Sequence, residues 1–163
     1  MGFFGKKSAK AQKDFELDSK LFKRIERVLS AHPGEDVSTQ GIAHFQSSTS
    51  QKQYLEIVGE AFCQEDIRGN FKPEKWAYGL LVPEQSNASD PNAVAVYLIT
   101  QDFGVVRVGY LKKEQAKRVS RKIAHLMVND GLVIPVLAII KEREGQENWA
   151  VLGYAMTDYI QFS

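Results

Sequence analysis

The chain has 163 residues, with 21 Lys+Arg against 20 Asp+Glu and 44% hydrophobic residues, the composition of one globular domain plus at most a short appendage. Its longest apolar run, residues 132–140, falls short of the roughly 20 residues that a membrane-spanning helix needs. A single cysteine, Cys63, excludes an internal disulfide or a Cys-rich zinc site, and the N-terminus has no apolar core of signal-peptide length, so a reducing, cytoplasmic setting is expected.

Residues 1–13, with Lys6, Lys7, Lys10 and Lys13, read as a basic tail. Leu17, Leu21, Phe22, Ile25, Val28 and Leu29 then recur at helical spacing and predict an amphipathic helix over about 14–30. The helix should stop at His32-Pro-Gly, because proline cannot continue it. Residues 34–53 are rich in Ser, Thr and Gln and read as a linker, which sets 1–53 apart from a compact domain over 54–163. In that domain, β-branched and alternating runs predict strands at 54–59, 76–82, 93–99 and 105–111. A helix over 112–128 follows, and two last strands at 133–141 and 149–159 flank a polar turn at 144–147. The strand at 93–99 is apolar on both faces and should be central. The fold class is therefore mainly β with helices: an OB-like, six-stranded, partly open β-barrel with one inserted helix, plus the N-terminal amphipathic helix.

The near-neutral total hides a strong pattern. Residues 107–125 carry seven basic side chains against Glu114 alone, and residues 1–30 carry eight against four, so the remainder is acidic. On the 112–128 helix, Ala116, Val119, Ile123, Leu126 and Met127 form the apolar stripe, while Lys113, Lys117 and Arg121 stack four apart on a ridge away from it. Like charges at this spacing repel, so either acidic groups elsewhere in the fold or an anionic partner such as a phosphate backbone must face them.

Two blocks sit close together: Asn87-Ala-Ser-Asp-Pro-Asn-Ala-Val-Ala-Val-Tyr97 and Val108-Gly-Tyr-Leu-Lys-Lys-Glu-Gln-Ala116, with Ile57-Val-Gly-Glu-Ala-Phe62 upstream. This ordered set resembles the HIRAN domain, a module of helicase-like chromatin and DNA-repair ATPases that also occurs standalone. The resemblance covers about residues 54–127. It implies an OB-like barrel that binds DNA, in one member at a single-stranded 3′ end. By position it makes Asp90 the carboxylate that receives the terminal hydroxyl and Asn87 its polar neighbour. Phe62 becomes a base-stacking aromatic on the first strand, Tyr110 the residue after the second-block glycine, and Lys113 a phosphate contact, to which the charge ridge of the helix, apart from the resemblance, adds Lys117 and Arg121. Three positions depart from the end-binding pattern. Ser89 stands where an aromatic is found, Ala61 where a basic residue is found, and Cys63 where a second aromatic is found.

Each of these residues also has a structural reading. Asp90 suits an Asx turn closed on the Asn92 or Ala93 amide, Asn87 suits turn chemistry, and Phe62, Trp76 and Trp149 suit the core. No Gly-rich phosphate loop, Gly-x-Ser-x-Gly, His-Glu-x-x-His or Cys-x-x-Cys is present, so no enzyme activity, cofactor or metal is expected. Two functions follow as expectations. One is a non-catalytic module for single-stranded DNA or DNA ends in a repair context. The other is an adaptor that keeps the barrel and docks a protein partner on the 14–30 helix, and it turns on whether that helix packs on its own barrel.

Overall fold

The structure, a computed structural model, describes residues 17–163. The basic tail at 1–13 and the start of the predicted 14–30 helix lie outside these residues. The first helix, α1, spans Ser19–Ser30, and the Asp18 carboxylate caps it by accepting from the Leu21 amide at 3.0 Å. Leu21, Phe22, Ile25 and Val28 are all buried in the common core. Burial of a side chain such as Ile25 contributes about 1.5–3 kcal/mol. The apolar stripe is thus covered by the chain's own barrel, and the partner surface expected on this helix is already occupied.

The 34–53 segment, read as a linker, is instead a packed part of the domain. Ile42 and Ala43 are buried, and Ile42 bridges Val133 in parallel, with the Ala43 amide donating to Val133 at 2.8 Å. The Asp158 carboxylate accepts from the Gln46 amide at 2.9 Å and from the Ser50 hydroxyl. Polar composition concealed this packing because its partners lie about a hundred residues further along the chain.

Seven strands form one antiparallel sheet: β1 (Gln53–Leu55), β2 (Ile57–Val58), β3 (Trp76–Pro83), β4 (Val94–Ile99), β5 (Val105–Leu111), β6 (Pro135–Lys141) and β7 (Ala150–Ala155). Their order is β1-β7-β6-β3-β4-β5-β2. The predicted strand at 54–59 is therefore two strands, one at each edge. Leu55 pairs with Gly153 and Ile57 with Leu111, so a single kink at Glu56 brings the edges together and makes the sheet barrel-like. The kink leaves Glu56 without ladder partners. The Gln115 side chain accepts its N–H at 2.8 Å, and its carbonyl accepts from Lys112 at 2.6 Å. Gln115 and Lys112 belong to the start of α3 (Lys113–Asp130), whose buried residues Ala116, Val119, Ile123 and Met127 match the predicted stripe. Every residue of β4 is buried, as its two-sided apolarity implies.

Beyond the expected inserted helix, a 3-10 helix (Glu60–Cys63) runs into a short α2 (Gln64–Asn70). These turns are too short and polar to show a helical period, and Ile67 alone anchors α2 in the core.

Candidate functional site

β5 carries one extra residue opposite β4. Tyr97 pairs with Arg107 but Val96 pairs with Gly109, so Val108 is a bulge. On a regular strand, residues three apart point to opposite faces. The bulge turns Arg107 and Tyr110 to the same side, where the Tyr110 hydroxyl accepts from Arg107 Nη1 at 2.9 Å and donates to Glu84 Oε1 at 2.9 Å. The guanidinium also lies 5.1 Å from the centre of the Tyr110 ring. Burial, and then the hydrogen bond and charge of Glu84, push the Tyr110 hydroxyl up to about 12. Burial also raises the Tyr97 hydroxyl above its ordinary range, with the charge of Glu84 adding to it. Gly109 is required at the adjoining position because a Cβ there would sit 2.8 Å from the Val58 carbonyl oxygen.

Phe62 lies beside this cluster but on the 3-10 helix, not on the first strand. Gly59 makes the turn with φ 82°, a conformation that suits glycine, and its carbonyl accepts the Phe62 amide at 3.1 Å. A Cβ on Gly59 would lie 3.9 Å from the Tyr110 ring, so the turn rests on Tyr110. Phe62 is 91% exposed, which overturns its reading as a core residue. Its neighbour Cys63 is buried and interacts with Arg107. The helical turn places consecutive residues in very different surroundings, so the apolarity of Phe62 says nothing about its burial.

The loop joining β3 to β4 holds the other predicted residues. Asn87 donates to Glu84 Oε1 at 3.2 Å, and its Oδ1 accepts from the Ser89 and Asp90 amides at 3.0 and 3.1 Å. Asp90 Oδ1 accepts from the Asn92 amide at 2.9 Å, which is the Asx turn, and Ser89 is exposed. Ser120 on α3 donates to Asn92 Oδ1 at 3.3 Å and pins the loop to that helix.

At 100° per residue, Lys113 and Lys117 point within about 60° of Ser120, on the side of α3 that carries this loop, whereas Arg121 points about 100° away and lines a cavity with Tyr159 and Ile160. All three are exposed. Among the described residues, the ion pairs are Arg27–Glu35 and Lys141–Glu74, so no carboxylate neutralises the ridge. The structure therefore brings Asn87, Asp90 and Tyr110 together through Glu84 and Asn92, leaves Phe62 exposed on the turn next to Tyr110, and leaves Lys113, Lys117 and Arg121 exposed on α3, the first two on the side of the helix that carries the loop. Sequence reasoning missed Glu84, the acceptor at the centre, which follows a strand-ending proline in a polar loop and carries no local signal. It counted Arg107 only as charge, because the bulge that aims this side chain arises from pairing.

Among the described residues, no three His, Cys, Asp or Glu side chains converge as a metal ion would need. No helix of the described residues is long and apolar enough to cross a membrane. No family model, curated protein or solved structure matches the chain.

Proposed function

We propose that this chain is a non-catalytic nucleic-acid-binding module for single-stranded or frayed DNA, including 3′ ends, in DNA repair or processing, as its resemblance to the HIRAN domain implies. The observation that carries the reading is Phe62, an almost fully exposed phenyl ring on the turn between Gly59, which lies over the Tyr110 ring, and Cys63, which meets Arg107. A base stacks on this ring, a contact that contributes about 1–3 kcal/mol and tolerates any sequence. The unneutralised Lys113, Lys117 and Arg121 meet the phosphates that follow. Asp90 uses one carboxylate oxygen in its own turn. The other is the acceptor for a terminal 3′ hydroxyl.

The test is fluorescence anisotropy with labelled single-stranded oligonucleotides ending in a 3′ hydroxyl or a 3′ phosphate. Phe62→Ala should weaken binding about 5- to 100-fold. Because the ring is exposed, its thermal melt should stay within about 0.5 kcal/mol of the parent. A preference for the 3′ hydroxyl that disappears in Asp90→Ala assigns end recognition to the loop. Absence of any complex at low ionic strength overturns the proposal.

A further inference from the structure

A second surface lies on the outer face of the sheet, apart from the residues above. On β3, Trp76 and Tyr78 alternate with buried Ala77 and Gly79. On β6 and β7, half-buried Leu137, Ile139, Leu152 and Tyr154 likewise alternate with buried neighbours. These side chains therefore share the face turned away from the barrel interior. The pairing aligns Tyr54, Tyr154, Leu137 and Tyr78 in one row and Trp76, Ile139 and Leu152 in the next. Three strand spacings make the first row about 14 Å long. Tyr54 is 54% and Trp76 52% exposed, so the aromatic rings stand at the rims of an aliphatic floor.

The charges around this face are mostly positive. Lys52 Nζ lies 4.4 Å from the centre of the Tyr154 ring and 5.9 Å from that of Trp76. Beyond Trp76 the surface deepens into a groove of about 580 Å³ in which Phe71, Trp76 and Tyr78 meet Arg68, Lys72 and Lys75, with Glu26 the one acidic residue lining it. Lys141 is neutralised by Glu74 at 2.7 Å. Lys52, Lys72 and Lys75 have no ion-pair partner among the described residues.

From this pattern we infer that the outer face of β1-β7-β6-β3 is a second contact for single-stranded nucleic acid. Bases stack on Trp76 and Tyr54, and phosphates meet Lys52, Lys72 and Lys75. Exposed rings beside unpaired lysines fit a strand whose bases offer π-faces and whose backbone carries the opposite charge. The inference shares its class of ligand with the reading above but none of its residues. One strand that engages both surfaces gains avidity from their linkage.

The experiment uses the full chain with Trp149→Phe, which leaves Trp76 as the sole tryptophan reporter. Unlabelled oligo(dT) and oligo(rU) are titrated against its emission, and labelled oligonucleotide anisotropy is run in parallel on the natural sequence with Trp76→Ala. Quenching of Trp76 by either polymer is expected, and the polymer that quenches at lower concentration is the preferred one. Tyr54→Ala, or Lys52→Gln with Lys75→Gln, should raise the midpoint about fivefold or more, and Phe62→Ala should leave the quench in place. If anisotropy reports a complex while Trp76 emission and the Trp76→Ala affinity are unchanged, the inference is overturned and the Phe62 site stands alone. If the quench persists but Phe62→Ala and the ridge variants bind as the parent does, the Phe62 reading fails and the inference stands. A dimer that Trp76→Ala dissolves, with no quench by any oligonucleotide, makes the face a protein interface and also overturns the inference.

Discussion

The two long helices look alike in sequence and differ in how the fold uses their charge. Both α1 and α3 bury an apolar stripe in the same core and present basic side chains elsewhere. On α1 three of the four cations have partners within the chain. Arg24 donates to the Gln40 carbonyl at 2.8 Å, Arg27 pairs with Glu35 at 2.6 Å, and Lys23 lies 5.3 Å from the centre of the Phe103 ring. On α3 only Arg118 is engaged in this way, donating to the Phe162 carbonyl at 3.3 Å, while Lys113, Lys117 and Arg121 have no ion-pair partner among the described residues. The lesson is that a basic amphipathic pattern marks a ligand surface only after the fold's own acceptors have been assigned. Helix α1 serves to hold the 34–53 segment, and α3 keeps a charged edge.

The comparison can be broken first at its common part. Ile25→Ala on α1 and Ile123→Ala on α3 each remove a fully buried side chain. Each should cost about 2–5 kcal/mol in a denaturant melt. If Ile25→Ala left stability unchanged, α1 would not be part of the core. The difference between the helices is sharpened by charge removal. Lys113→Gln, Lys117→Gln and Arg121→Gln together should reduce the slope of log affinity against log salt for single-stranded DNA by about 2. Arg24→Gln with Arg27→Gln should leave that slope unchanged and instead speed amide exchange in the loop after α1. Equal slopes for the two sets would erase the distinction.

The smallest effect lies at the approach to α3 and is read by pH. Tyr110, with its hydroxyl raised to about 12, is bonded in its protonated form, whereas an unfolded tyrosine ionises near 10. Its contribution to stability is complete below about pH 10 and is lost as pH rises toward 12. Tyr110, together with the buried Tyr97, should accordingly ionise late in an ultraviolet titration, and Glu84→Gln should bring Tyr110 back toward the ordinary range. A titration with no late tyrosine would mean that the Glu84–Tyr110 contact does not persist in solution.

The legible parts of this protein were those written in local periodicity. The stripes of α1 and α3, the two-sided apolarity of β4 and the Asx turn at Asp90 each depend on residues a few positions apart, so spacing alone reveals them. That information was enough for a mainly β, barrel-like fold with helices and for a basic ridge on α3. Tertiary structure alone decided the rest. It split residues 53–58 between the two sheet edges, because a kink at Glu56 becomes tolerable only when Gln115 and Lys112 from a distant helix satisfy its backbone. It packed the 34–53 segment, which sequence composition presents as a linker, against Val133 and Asp158. It turned Phe62 and Trp76 to solvent, Arg107 onto Tyr110, and Glu84 into the centre of the cluster. Whether a side chain is exposed, and what it touches, depends on which strands pair and in what register. Pairing is a long-range property that no local window of residues contains.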